Sequence, residues 1–194
     1  MNAGKRLLFG LLLLAASVSG SGALAAEADV DHEAAAREYF TDTLLIDHNG
    51  EEVRFFSDVL KEEVVVINFI FTNCGGACPM MTEKLRMARE ALGEEIGNSI
   101  KFISISIDPA RDTPAAMRKF KETHRATGNW VFLTGTQENI DAVVKRLGQW
   151  SPEVEDHSTM MLAGNVSKRH WMKIMPGVPP PAIAEKLRML LADT

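Results

Sequence analysis

Apolar and polar residues alternate along the chain in a pattern that predicts strands separated by amphipathic helices. Three apolar runs rich in β-branched or aromatic residues are typical of buried strands: residues 64–71, 100–107 and 130–133. Two later runs, residues 160–163 and 166–174, predict a closing hairpin that turns at Gly164-Asn165.

Apolar residues at helical spacing fill the intervals between these runs. The recurring positions are Met81, Leu85, Ala88 and Leu92; Met117 and Phe120; Ile140, Val143, Val144 and Leu147; and Ile183, Leu187, Leu190 and Leu191. Asp112 or Thr113 is expected to cap the second of these helices, just before Pro114.

A hairpin is predicted ahead of the first buried strand. Residues 44–46 and 53–55 flank Asp47-His48-Asn49-Gly50, in which Asn-Gly is the favoured two-residue turn. We interpret His48 as a solvated loop residue. Strands that alternate with helices predict a parallel sheet. The expected fold class is α/β, with a central, mostly parallel sheet flanked by helices and an N-terminal hairpin.

Both cysteines of the chain, Cys74 and Cys78, lie where the first buried strand passes into a helix. Pro79 suits the first turn of that helix. Backbone N–H groups at a helix N-terminus favour a thiolate, so we expect the thiol pKa to fall below about 8.5. Gly75 and Gly76 are expected to allow a tight turn that leaves the sulfurs uncovered. Such a dithiol can form a disulfide or bind a soft metal.

The order of the elements also indicates which histidine approaches the cysteines. Ligands of open α/β sheets gather at the carboxyl ends of the strands, where Cys74 and Cys78 lie. In the thioredoxin-like arrangement that this order predicts, the segment entering the closing hairpin returns beside the helix that follows the cysteines. That segment contains Asp156-His157-Ser158, so His157 is the histidine best placed to reach them.

The N-terminus has the pattern of an export signal. Lys5 and Arg6 precede a short apolar core, and Ala23-Leu24-Ala25 matches a small-x-small cleavage site. We therefore predict a signal peptide over residues 1–25, with an uncleaved membrane anchor as the alternative. No cysteine follows the apolar core, which argues against a lipoprotein anchor. The expected location is exported, in the periplasm or anchored to the membrane and facing it.

The rest of the chain is predicted to contain a flexible N-terminal arm, or a short helix, over residues 26–39 and one domain over residues 40–194. Without residues 1–25 the chain loses two of its 21 cationic residues and none of its 26 acidic ones, so its formal charge falls from −5 to −7. Nucleic acid is not expected as a partner, because phosphate binding requires a cationic face.

Three separated motifs carry a resemblance to a known family. They are Cys74-x-x-x-Cys78-Pro79, then Asp108-Pro109-x-Arg111-Asp112-Thr113-Pro114, then Asp156-His157-Ser158. In this order they are similar to the SCO/SenC family, the copper chaperones of cytochrome c oxidase assembly. The chain departs from the family at Gly75, where Pro is common, and at Gly164-Asn165, where the family has an acidic-Gly turn.

The resemblance implies a thioredoxin-like protein that binds copper, as Cu(I) or Cu(II), through Cys74, Cys78 and His157. It also implies delivery of copper to the CuA-type site of a cytochrome c oxidase subunit. Because copper binding requires reduced cysteines, a thiol reductase is an implied second partner. We expect a metallochaperone without turnover of its own.

Other interpretations remain open at this point. Zinc also fits a Cys₂His ligand set. The pair Cys74 and Cys78 could be a redox-active disulfide of a periplasmic thiol-disulfide oxidoreductase, a structural disulfide, or part of a peroxidase. His157 could be a core or surface histidine stabilised by Asp156 or a backbone carbonyl. Asp156 could also orient His157 as a ligand. Several methionines could offer a thioether ligand, although core packing is their commoner role: Met80, Met81, Met160 and Met161.

Overall fold

The protein is described by a computed structural model over residues 32–193. One compact unit of the structure begins at Ala35. It contains all the described helices and strands, except for the first residues of the first helix. The helices are α1 (residues 32–40), α2 (Ala77–Leu92), α3 (Glu94–Asn98), α4 (Pro114–Thr123), α5 (Gln137–Arg146) and α6 (Pro180–Ala192). The strands are β1 (Leu44–Asp47), β2 (Glu52–Arg54), β3 (Val64–Ile70), β4 (Lys101–Ser106), β5 (Trp130–Thr134), β6 (Met161–Asn165) and β7 (His170–Ile174).

The seven strands form one sheet in the order β2-β1-β5-β4-β3-β6-β7. Only the three central strands, β3, β4 and β5, run parallel to one another. Strands β1 and β6 join this centre antiparallel, and each forms a hairpin with its outer neighbour. The predicted α/β fold with helices around a central sheet is confirmed, but "mostly parallel" was wrong, because four of the six strand pairs are antiparallel.

Helices cover both faces of the sheet. Side chains of α2, α4 and α6 pack on one face, around Val66, Ile70 and Phe102. Helix α5 packs on the other face together with a π-helical turn at Phe55–Leu60. Strand β3 is therefore buried along its whole length, as its unbroken apolar sequence predicts.

The turns differ from the sequence predictions in register. In the N-terminal hairpin, the Gly50 N–H donates to the Asp47 carbonyl at 3.0 Å, so His48 and Asn49 are the central turn residues. Gly50 follows them with φ +94°, a conformation that glycine adopts without strain. In the closing hairpin, Gly164-Asn165 belongs to β6 and the turn comes later, at residues 166–169.

The N-terminal predictions lie mostly outside the described residues. The predicted signal peptide, residues 1–25, falls wholly outside them, and so does the beginning of the arm. The described part of the arm, from residue 32, is helical. Within residues 32–193, no helix is both long enough and apolar enough to cross a membrane.

Candidate dithiol and histidine site

The two cysteines follow β3 through a tight turn. The Cys74 N–H donates to the Phe71 carbonyl at 3.2 Å, and α2 begins at Ala77. The Cys78 N–H then donates to Cys74 Sγ at 3.4 Å. The residues between the cysteines need no left-handed conformation, since neither Gly75 nor Gly76 has a positive φ. A methyl group added to either glycine would meet no atom within 4 Å, so the turn has open space around it.

The structure makes the two thiols chemically unequal. Cys74 is half-buried, whereas Cys78 is only 1% exposed. The expectation of two uncovered sulfurs was therefore wrong for Cys78, whose side chain points into the core beneath α2.

The pKa values of the thiols follow from this difference. Desolvation alone would raise the pKa of Cys74, but hydrogen bonds from the Cys78 thiol and from the N–H groups of Cys78, Gly76 and Ala77 hold it below its ordinary value. Burial raises the pKa of Cys78 to about 12, and its hydrogen bond to Cys74 adds to the shift. The predicted fall in pKa is thus found for Cys74 only.

His157 lies against Cys78 of this pair, as the topology predicts. Its Nε2 is 3.8 Å from Cys78 Sγ, and its ring meets the Phe71 ring edge-on with centroids 5.5 Å apart. The Nδ1 atom lies 2.7 Å from the Val154 carbonyl oxygen. Because a carbonyl can only accept, Nδ1 carries the proton in the neutral ring and the Nε2 lone pair faces Cys78.

A backbone carbonyl therefore orients His157. Asp156, the residue predicted for this role, is exposed on the surface. Of the methionines considered as thioether ligands, Met81 and Met161 are buried in the core and Met80 is 53% exposed.

The donor atoms suit a soft metal ion, although the three side chains do not converge fully. Thiolate sulfur and imidazole nitrogen favour Cu(I), and they also accept zinc. One ion could span the 3.8 Å between His157 Nε2 and Cys78 Sγ, given bonds of about 2.0–2.1 Å to nitrogen and about 2.3 Å to sulfur at zinc. Across the described part of the chain, no three His, Cys, Asp or Glu side chains gather closely enough to hold a metal. A three-ligand site therefore requires a rearrangement of these side chains.

A buried carboxylate, at a position predicted as a possible helix cap, supports the cysteine turn. Asp112 is fully buried, and its Oδ1 accepts from the Thr72 N–H at 3.0 Å and from the Thr72 hydroxyl at 2.6 Å. Its Oδ2 accepts from the Ser106 hydroxyl at 2.6 Å. The helix cap is Thr113, which accepts from the Ala116 N–H. Asp112 thus ties the end of β4 to the residue two places before Cys74.

His48 is also more involved than predicted. It is half-buried, and its Nδ1 accepts from the Phe132 N–H at 3.4 Å while its Nε2 lies 2.9 Å from Lys121 Nζ. Burial, together with the charge of Lys121, lowers the pKa of His48. This histidine joins the hairpin to the sheet and takes no part in the cysteine site.

The fold and the site together define a thioredoxin-like protein with a dithiol at the end of a central strand and a histidine beside it. The model of the SCO1/SenC family matches residues 31–192 of the chain. The chain therefore belongs to the SCO1/SenC family, as its motifs predict.

Individual relatives agree with this assignment. The SCO1 protein homolog of Bacillus subtilis is 37% identical over 107 residues, which are 50% of this chain and 52% of the relative. The chain spans about half the length of the curated relatives it matches.

Solved structures share the fold. ScoI of Bradyrhizobium japonicum with copper bound has a TM-score of 0.66 at 24% identity, covering 76% of this chain and 96% of that one. BsSco, described as a member of the Sco family of cytochrome c oxidase assembly proteins and as having a disulfide switch, has a TM-score of 0.66 at 24% identity, covering 80% and 94%. The family thus includes copper-binding proteins and is linked to oxidase assembly.

Proposed function

We propose that this protein binds one copper ion through Cys74, Cys78 and His157 and delivers it to the CuA-type site of a cytochrome c oxidase subunit. The observation that carries the proposal is the Nε2 lone pair of His157, held 3.8 Å from Cys78 Sγ by the hydrogen bond of Nδ1 to Val154. A histidine held in one tautomer toward a thiol is the arrangement that metal sites use to orient an imidazole ligand. Copper is the cargo of the protein in this proposal.

The chemistry of the cysteines supports reversible loading. Only thiolates bind the metal, so oxidation of the pair to a disulfide would exclude copper. Loading therefore requires an electron donor that keeps both sulfurs reduced, and a thiol reductase is the proposed second partner. The export signal pattern in residues 1–25 supports a location in the periplasm or on the membrane facing it.

A copper titration tests the ligand set. The purified protein, fully reduced and under anaerobic conditions, is titrated with Cu(I) against a competing chelator. We expect one copper per chain, and an affinity about 100-fold lower in His157→Ala, since even a lost outer partner of a metal ligand costs 10–100-fold. His170→Ala is the matched control, because His170 is exposed and paired with Asp193 at 2.6 Å. Equal affinity in His157→Ala and wild type would overturn the three-ligand proposal.

The same titration, carried out on the Zn²⁺-loaded protein, tests whether copper or zinc is the preferred metal of the site. Cu(I) prefers soft sulfur ligands more strongly than Zn²⁺ does, so we expect copper to displace zinc from the reduced protein. Zinc that resists displacement would make the site a zinc site. Transfer to an isolated, copper-free oxidase domain then tests delivery.

The unequal thiols favour a second candidate, a thiol-disulfide oxidoreductase. Cys74, half-buried and with a lowered pKa, suits the attacking thiolate, and buried Cys78 suits the thiol that resolves a mixed disulfide. This activity would require no histidine. Reduction of a disulfide substrate at equal rates by wild type and His157→Ala would support it, whereas a rate no higher than that of Cys74→Ser would exclude it.

A further inference from the structure

Arg89, in the last turn of α2, is held in place by close contacts with the backbone. A methyl group added to Gly128 would lie 1.9 Å from Arg89 Nη2, and one added to Gly97 would lie 3.2 Å from its Cγ. With the guanidinium in this position only glycine fits at Gly128, whose φ of +71° also favours glycine. Arg89 Nη2 donates to Asn98 Oδ1 at 2.6 Å. The charge of Arg89 is therefore fixed in position, with a neutral amide as its partner.

Two arginines in this region lack a carboxylate partner. In the described part of the chain, neither Arg89 nor Arg125 forms a salt bridge. Arg86 differs from them, because it donates to Glu83 at 2.7 Å and pairs with Glu90. Both nearby glutamates are thus bound by one arginine. Arg89 is half-buried, and a charge removed from water without a counter-ion is poorly compensated, so an anion beside it would be favoured.

A cavity of about 250 Å³ lies between the end of α2 and the segment that follows α4. Its lining residues are Arg86, Arg89, Glu90, Arg125 and Thr127. Arg125 and Thr127 are exposed, so a ligand can reach them from solvent. One water molecule needs about 10–15 Å³ of such space, so the cavity has room for a tetrahedral oxyanion.

The balance of charge around the cavity is positive. Glu83 adds a second carboxylate, because it lines an adjoining cavity together with Arg86, His124 and Arg125. The side chains of Glu83 and Glu90 are 48% and 63% exposed, so both glutamates extend toward solvent while they bind Arg86. Three arginines therefore face two carboxylates, in a chain whose formal charge is −5. This local excess of cations indicates an anionic ligand.

We propose that this cavity binds one phosphate-type oxyanion, either free phosphate or the phosphate group of a lipid headgroup. Arg89 would donate through its Nη atoms, because its Nε is buried, and Arg125 would donate from the solvent side. The Thr127 hydroxyl would supply a further donor. Arginine suits phosphate well, since its planar guanidinium donates two parallel hydrogen bonds.

The proposed anion site is separate from the cysteines. Arg89 follows Cys78 by eleven residues on α2, which is about 16 Å along a helix axis. The lining residues of the cavity include none of the proposed copper ligands. Anion binding therefore requires no metal and does not depend on the proposed copper function.

Titration with inorganic phosphate tests the site. The ¹⁵N-labelled, reduced and metal-free protein is titrated with sodium phosphate at pH 7, and with sodium chloride at equal ionic strength as the control. We expect saturable shifts of the Thr127 and Gly128 amide signals with phosphate alone, because guanidinium groups bind oxyanions through paired hydrogen bonds. No saturable shift with phosphate, or equal shifts with chloride, would overturn the proposal.

Two matched variants tie phosphate binding to the cavity. Arg125 is exposed, so Arg125→Gln removes one charge with little effect on packing and should weaken phosphate binding at least about tenfold. Arg146→Gln is the control, because Arg146 is also exposed but lies in the last turn of α5, on the other face of the sheet. At one phosphate concentration, the melting temperature should rise more in wild type and Arg146→Gln than in Arg125→Gln. An equal loss of affinity in the two variants would show attraction by overall charge alone and would refute the proposal.

Vesicles then identify the source of the phosphate group. Flotation with phosphatidylglycerol vesicles compares wild type, Arg125→Gln and Arg146→Gln, with phosphatidylcholine vesicles as a surface without net charge. Binding to phosphatidylglycerol that only Arg125→Gln loses would support a lipid headgroup as the ligand. Phosphate binding without vesicle binding would support a soluble phosphate. Vesicle binding that both variants lose equally would contradict a lipid headgroup in this cavity.

Discussion

The two halves of the candidate site are built in different ways. The cysteines follow a fully buried strand that has partners on both sides, and Asp112 holds the turn between strand and helix. His157 belongs to an irregular segment whose only regular element is a short 3₁₀ turn at Val154–Asp156. Its backbone N–H and its Nδ1 both bond to the same carbonyl, at Val154.

This difference suggests a division of roles. Ligands on rigid elements are positioned before a metal arrives, whereas a ligand on a loop can move with less cost to the fold. We therefore expect the sulfurs to contribute most of the affinity and the histidine to adjust it.

The largest expected effect comes from removing a sulfur on the rigid side. Cys74→Ser should lower Cu(I) affinity about 1000-fold, or about 4 kcal/mol, because a hard hydroxyl replaces a soft thiolate. The measurement is the Cu(I) titration against a competing chelator, and the effect should exceed that of His157→Ala. A larger loss in His157→Ala than in Cys74→Ser would reverse the proposed roles.

The next largest expected effect is the difference between the alkylation rates of the two thiols in the reduced protein. Cys74 should react with iodoacetamide at least about 30-fold faster than Cys78 at neutral pH, because its lowered pKa leaves a larger fraction of it as thiolate. A thiolate of lower pKa is also a weaker nucleophile, but this offsets only part of the gain in rate. Peptide mass spectrometry over a time course gives both rates. The same ratio of alkylation rates is expected in His157→Ala if the cysteine turn keeps its conformation without the histidine. A ratio near one in that variant would show that the turn depends on the histidine.

A smaller effect is expected from loosening the support beneath the cysteines. Thr72→Val keeps the shape of the side chain but removes the hydroxyl that donates to Asp112 at 2.6 Å. Because a mobile Cys74 spends less time near Cys78, the equilibrium constant for disulfide formation in a glutathione buffer should fall about tenfold.

Two controls accompany this measurement. Thr72→Ser keeps the hydroxyl and should restore the equilibrium constant. Thr113→Ala removes the α4 cap and should cost about 1 kcal/mol of stability without changing that constant. If Thr113→Ala shifts the disulfide equilibrium as much as Thr72→Val does, Asp112 acts on overall stability alone.

The smallest effect concerns pH. The pKa of Cys78 is raised in the folded protein to about 12, so its contribution to stability is complete below the unfolded pKa of about 8.5 and is lost as pH rises toward 12. The free energy of unfolding should therefore fall by about 1 kcal/mol at pH 9.5 from this group. Urea unfolding of wild type and Cys78→Ala at pH 7 and 9.5 isolates the contribution. An equal fall in both proteins would show that Cys78 is not the cause.

Much of this architecture could be predicted from sequence, because buried strands and amphipathic helices have distinct apolar periods. Topology also placed His157 near the cysteines, since the carboxyl end of a strand and the entry to its antiparallel neighbour share one edge of a sheet. The turn registers at Gly50 and Gly164 were missed, because a favoured dipeptide does not fix the residue at which pairing ends.

The hydrogen-bond partners of polar side chains were the least predictable part of the site. Asp112 matched a helix cap by local sequence, and its bond to Thr72 depends on the parallel pairing of Ile70 with Ser106. The burial of Cys78 likewise depends on which side of α2 faces the core.

We propose that one histidine and two cysteines of this protein share a copper ion. X-ray absorption of the Cu(I)-loaded protein tests it most directly, by counting sulfur and nitrogen neighbours in wild type, His157→Ala and His170→Ala. We expect two sulfurs and one nitrogen in wild type and His170→Ala, with the nitrogen lost in His157→Ala. Two sulfurs alone in wild type, or a nitrogen that persists in His157→Ala, would contradict it.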